Sequence, residues 1–126
     1  MRKTMLALAS ALMLTLGLAK HAVAQDWPQK SIRIIVSFGP GAGADIIGRI
    51  LADSMQGKLG KPVVVENKPG AGGILGNEAV ANAEPDGYTL GIMTAGQIIA
   101  AVTRKNMRYD TLTAFAPVGR SRLQAC

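Results

Sequence analysis

Apolar and polar positions along the chain change period twice, and each change falls at a glycine-rich turn. Ser31 to Ser37 reads Ser-Ile-Arg-Ile-Ile-Val-Ser, a β-branched run that suits a buried strand. Pro28 ahead of it favours an extended approach. From Asp45 the period becomes helical, with Ile46, Ile47, Ile50, Leu51, Met55 and Leu59 on one face and Gly60 as the stop. Val63 to Glu66 is a second short buried strand, set off by Lys61-Pro62. Ile74, Leu75, Ala79, Val80 and Ala83 then recur at helical spacing up to the turn Pro85-Asp86-Gly87. Tyr88 to Thr94 reads as a third strand broken by Ala95-Gly96, and Gln97 to Val102 as a short helix. Tyr109 to Leu112 reads as a loop, and Phe115 to Val118 as the start of another strand. Strands alternating with helices predict βαβ units on a parallel sheet, with right-handed crossovers laying the helices over it.

That topology brings two glycine turns to the carboxyl ends of strands, where open α/β sheets bind ligands. The first is Phe38-Gly39-Pro40-Gly41-Ala42-Gly43-Ala44-Asp45 and the second Asn67-Lys68-Pro69-Gly70-Ala71-Gly72-Gly73. Without a Cβ, glycine lets backbone N–H groups come close to a ligand. A helix start behind each turn adds unpaired donors and partial positive charge. Two such turns on neighbouring strands can grip a small carboxylate from both sides. The plainer alternative is that each turn only lets a strand meet a helix tightly; two in register favour ligand binding. Asp45 reads as a cap that holds its turn so that neighbouring N–H groups point outward, and Glu66 and Asn67 as residues that fix the second turn. Met93 and Trp27 read as packing residues.

Composition narrows the chemistry. The chain has 126 residues, enough for one domain. Met1-Arg2-Lys3, an apolar run from Met5 to Ala19 and Ala22-Val23-Ala24 make a Sec-type signal peptide with cleavage after Ala24. The run is too short for a membrane anchor. Cleavage removes Arg2, Lys3 and Lys20 and so halves the formal charge of +6. The remaining charges are scattered. Arg104, Lys105 and Arg108 form a solvated helix end rather than a nucleic-acid surface. His21 is the single histidine and Cys126 the single cysteine, so the exported chain has no Cys/His metal site and no nucleophile–base pair. Gly39-x-Gly41-x-x-Ala44 with Glu66 downstream formally fits a dinucleotide fingerprint, which would mean a secreted nucleotide-binding enzyme. Asp45 at the helix start would repel a pyrophosphate, and an exported protein meets little NAD.

Trp27-Pro28, the first glycine turn, the stretch Gly60-Lys61-Pro62-Val63-Val64-Val65-Glu66-Asn67-Lys68-Pro69-Gly70-Ala71-Gly72-Gly73, then Pro85-Asp86-Gly87-Tyr88-Thr89-Leu90, Tyr109-Asp110 and Phe115-Ala116-Pro117-Val118 follow one another in an order and spacing that closely resembles the Bug receptors. These are the substrate-binding proteins of tripartite tricarboxylate transporters. The resemblance runs from Trp27 to Val118. It implies an α/β fold of the periplasmic binding protein type II-like kind, a two-lobed flytrap of which only part of the first lobe is present. It implies residues 1–24 as signal peptide, 25–118 as partial first lobe and 119–126 as an atypical tail. It also implies a periplasmic location, a small carboxylate ligand, membrane subunits of a transporter as partners, and neither enzymatic activity nor a cofactor. The ligand residues it implies are Phe38, Gly41, Ala42, Gly43, Ala44 and Asp45 in the first turn, Ala71, Gly72 and Gly73 in the second, and the strand-end segment Thr94, Ala95, Gly96 and Gln97.

Three departures stand out. Gly39-Pro40-Gly41-Ala42 replaces the family's Pro-Pro-Gly-Gly, and Ala44 replaces a hydroxyl residue, which leaves backbone N–H groups to act alone. Family members are more than twice as long, and Arg120 to Cys126 does not read like their continuation. The expectation is a truncated or frameshifted chain that is marginally folded and binds carboxylates weakly, with a non-functional remnant as the alternative.

Overall fold

The computed structural model describes residues 27–104 and 107–119. The expected signal peptide, its cleavage site and the tail from Arg120 onward lie outside them. Three parallel strands form one sheet: β1 (Ile32–Val36), β2 (Val63–Asn67) and β3 (Thr89–Ile92), in the order β2-β1-β3. Between them run α1 (Gly43–Leu59), a single 3₁₀ turn (Ala71–Gly73) and α2 (Ile74–Ala81); α3 (Ala95–Thr103) follows β3.

β1 is central, and every residue of it except Arg33 is buried, as expected for a β-branched strand covered on both faces. Ile32 pairs with Val63, Ile34 with both Val65 and Leu90, and Val36 with Asn67 and Ile92. Side chains alternate along a strand, so Ile32, Ile34 and Val36 share one face and Ile35 takes the other. The first face carries the core, with Ala52 and Val63 buried and Met55, Leu59, Leu90 and Ile92 packed around them. α1 lies on this face: a Cβ on Gly48 would come within 3.0 Å of Val36 and 3.1 Å of Ile92. α2 lies on the opposite face, where Val80 fills the space above Gly91. A crossover from β1 to β2 and a return across β1 to β3 place their helices on opposite faces when both have the same hand.

Several expectations shift. α1 starts at Gly43, two residues before Asp45. Its buried stripe is Asp45, Gly48 and Ala52, continued by the half-buried Met55 and Leu59. Ile46 and Ile50 are instead 51% and 65% exposed, and Leu51 is also exposed. Small residues bring the helix axis close to the sheet, and turning Asp45 inward rotates the isoleucines out. Gly60 does end the helix, in the left-handed conformation at φ 64°. α2 buries Gly76 and Asn77 while Leu75 is exposed, and Ala83 lies beyond its end. β3 stops at Ile92, and Ala95-Gly96 opens α3 instead of breaking a strand. The reason is a capping box: Thr94 precedes the helix, and Gln97 Oε1 accepts the Thr94 N–H at 2.8 Å. Phe115 to Val118 forms no strand. No described strand lies beside it to complete a ladder, and the Phe115 ring packs edge-on against Tyr109.

Candidate functional site

The first turn is held by a closed polar clasp. Asp45 is 2% exposed, and both of its oxygens accept hydrogen bonds. Oδ2 accepts the Gly41 N–H at 2.9 Å and Arg49 Nε at 3.0 Å, and Oδ1 accepts Asn67 Nδ2 at 2.8 Å. The same Asn67 amide donates to the Phe38 carbonyl at 3.0 Å, and Arg49 Nη2 donates to Asn67 Oδ1 at 3.3 Å. Asp45 and Arg49 stand one helical turn apart, so α1 itself aligns the ion pair. The Arg49 guanidinium, the Gly41 N–H and the Asn67 amide together hold the Asp45 carboxyl at about 2, against burial, which acts the other way. Asp45 therefore fixes the turn as the sequence suggests. It does so as the third helical residue reaching back to Gly41, while Ala42 occupies the cap position with no side-chain hydrogen bond. Arg49 also neutralises Asp45, so repulsion of a pyrophosphate is not what argues against a nucleotide here. Gly43 and Ala44 supply N–H groups from the first helical turn, which has no intrahelical partners for them.

The second turn follows a different plan. Four successive residues have positive φ: Gly70 at 140°, Ala71 at 50°, Gly72 at 71° and Gly73 at 93°. Ala71 carries the cost of the left-handed region, which only glycine enters freely. One bond closes the turn, from the Gly73 N–H to the Gly70 carbonyl at 2.9 Å. Its approach is fastened to β1, because the Lys68 N–H donates to the Val36 carbonyl at 2.8 Å. α3 meets this turn through Gln97. With Oε1 committed to Thr94, the Gln97 side-chain nitrogen faces Gly73, where a Cβ would lie 2.6 Å from it. Gln97 is 2% exposed, and its Nε2 has no acceptor among the described residues.

All three predicted segments thus gather at the carboxyl end of the sheet, joined by Asn67 on one side and Gln97 on the other. Sequence reasoning missed four contributors. Arg49 was legible as a basic residue four positions after an acidic helix start. Ser37 donates to Asn77 Oδ1 at 3.0 Å within the buried layer beneath the turns. Asn77 is a polar residue buried in a mostly apolar helix, where the neighbouring Glu78 stays only half-buried and pairs with Arg108, a contrast that only the structure shows. Arg104, taken for a solvated helix end, stands with its guanidinium 3.9 Å from the Cβ position of Gly72. A shallow hollow lined by Lys30, Arg33, Asp86 and Tyr88 lies at the opposite, amino end of the strands.

A partial parallel sheet with helices on its faces and two glycine turns at its carboxyl end is the α/β fold of periplasmic binding proteins. Residues 47–124 match the tripartite tricarboxylate transporter family receptor, and the chain belongs to that family, which includes the Bug proteins. It is a family of receptors and not of enzymes. The protein BugT of Bordetella pertussis is 43% identical over 86 residues, covering 68% of this chain and 26% of the relative. A solved structure of a periplasmic transporter is 49% identical with TM-score 0.63, covering 67% of this chain and 29% of that one. MatC from Rhodopseudomonas palustris, solved with bound malate, is 34% identical with TM-score 0.67, covering 73% of this chain and 32% of its own. The chain spans about a third of the length of the curated relatives it matches.

Proposed function

We propose that the chain is a lobe of a periplasmic receptor for small carboxylates that delivers its ligand to the membrane subunits of a tripartite transporter. The observation that carries this reading is the meeting of both glycine turns at one end of the sheet, tied by Asn67 to Phe38 and Asp45. The ligand carboxylate sits between the N–H groups of Gly43 and Ala44 and those of Ala71 and Gly72, with Phe38, Gly41, Ala42, Gly73 and the segment Thr94 to Gln97 bordering it, since the N–H groups of Gly41, Ala42 and Gly73 are taken by Asp45, Gly39 and Gly70. Asp45 acts by holding the first turn in place. Malate in a relative of the same fold supports a carboxylate as the ligand class. Residues 1–24 direct export and are removed after Ala24, residues 25–118 form part of the first lobe, and residues 119–126 are an atypical tail.

Calorimetric titration with a panel that includes malate, succinate and NAD tests the ligand class. Carboxylate binding without a response to NAD is expected; tight NAD binding with no response to any carboxylate overturns the reading. Mass spectrometry of the exported product tests the cleavage site, and an intact Met1 terminus contradicts it.

A second, weaker form of the same reading concerns the first lobe by itself. One lobe supplies one wall, water competes for the carboxylate, and each charge-assisted hydrogen bond is weakened. The expected affinity of this chain alone is then in the millimolar range, about −4 kcal/mol.

A further inference from the structure

We propose that Arg104 is the specificity-determining cation of the site, reading a second negative charge on the ligand beside the second glycine turn. This rests on the carboxylate reading above and narrows it to dianions. Arg104 is the residue at which α3 ends, and its guanidinium is the one described group near the open side of Gly72, 3.9 Å from the Cβ position. Among the described residues, the nearby cations are paired: Arg49 with Asp45 and Lys68 with Glu66, and Arg108, beyond α3, pairs with Glu78. Arg104 has no acidic partner among the described residues. Next to it, Gln97 presents a buried amide to Gly73 with no described acceptor, and a buried donor without an acceptor is costly. A cation and an amide donor from one helix thus converge on two consecutive glycines: the Gln97 amide packs against Gly73, and the exposed Arg104 stands over the open side of Gly72. A planar guanidinium pairs with a carboxylate through two parallel hydrogen bonds, which a monoanionic ligand held elsewhere in the site would not engage.

The test compares succinate with butyrate, ligands of equal chain length with two carboxylates and one. The full chain, R104Q and R104K are titrated by ¹⁵N-detected NMR, with melting temperature followed in parallel. R104Q is expected to weaken succinate about fivefold, in keeping with a partly exposed ion pair, and butyrate less than twofold. R104K recovers part of the loss, because it keeps the charge and loses the fork. In the unmutated chain, added salt weakens succinate more steeply than butyrate, a readout that needs no variant. Equal losses for both ligands in R104Q, as a merely structural role at the helix end would give, overturn the proposal and leave the carboxylate reading intact. So does equal affinity of the unmutated chain for the two. Binding of neither ligand overturns both readings.

Discussion

The two glycine turns occupy equivalent places at the ends of neighbouring strands, yet they are built on opposite principles. The first is locked by side chains: Asp45, Asn67 and Arg49 are hydrogen-bonded pairwise to one another, and Asp45 and Asn67 each hold the backbone as well, at Gly41 and Phe38. The second is shaped by backbone alone, through four consecutive positive φ values and one turn hydrogen bond. The side-chain donors around the second turn, Gln97 and Arg104, lack described partners, whereas the clasp side chains of the first, Asp45, Asn67 and Arg49, satisfy one another. The difference assigns the turns different work. The first is a fixed wall whose geometry is set before any ligand arrives, and the second carries the groups a ligand completes.

Substitutions can break this contrast. The largest effect is expected from Asn67→Ala. It strips one donor from the buried Asp45 carboxylate and another from the Phe38 carbonyl, and should cost about 2–3 kcal/mol, read as a shift in the urea midpoint with unchanged slope. Gly73→Ala follows, at about 2 kcal/mol, because it combines a left-handed φ with a collision against a buried amide. Gly43→Ala in the first turn has open space and a helical backbone, so it should stay within about 0.5 kcal/mol of the parent. Ala71→Gly should stabilise by about 0.5 kcal/mol, as relief of the left-handed strain outweighs the added chain entropy. The pH response sharpens the same contrast. The folded Asp45 carboxyl sits at about 2, below its ordinary value, so the unfolded chain binds the proton more readily. The clasp's stability is therefore complete above the usual carboxylate range near pH 4 and is lost as pH falls through about 2. Carbon-detected NMR of the Asp45 carboxyl should give that low midpoint, and Arg49→Gln should raise it.

Much of this was legible in the sequence, and what was not has identifiable causes. The three strands, the order of elements and the place of both turns follow from β-branched runs and glycine punctuation. The face of α1 did not, because apolar spacing pointed to Ile46 and Ile50 while the sheet selected Gly48 and Ala52. Close approach between backbones outweighed side-chain hydropathy, and Asp45 followed the small residues inward because Arg49 and Asn67 satisfy it there. Ala95-Gly96 looked like a break because both are poor strand residues; the Thr94–Gln97 capping box made them a helix start. Phe115 to Val118 has strand-like composition but no described neighbour to pair with. The clasp itself joins residues 22 positions apart. Only the register that sets Val36 beside Asn67 brings those residues together.

The central claim is that both turns hold one carboxylate. Titrating malate into the ¹⁵N-labelled chain and following the backbone N–H signals of Gly43, Ala44, Gly72 and Gly73 tests it most directly. The account predicts that all four signals move together along one binding curve with a single dissociation constant. Signals that move in one turn only, or a response confined to the hollow around Lys30, Asp86 and Tyr88 at the far end of the sheet, would contradict it.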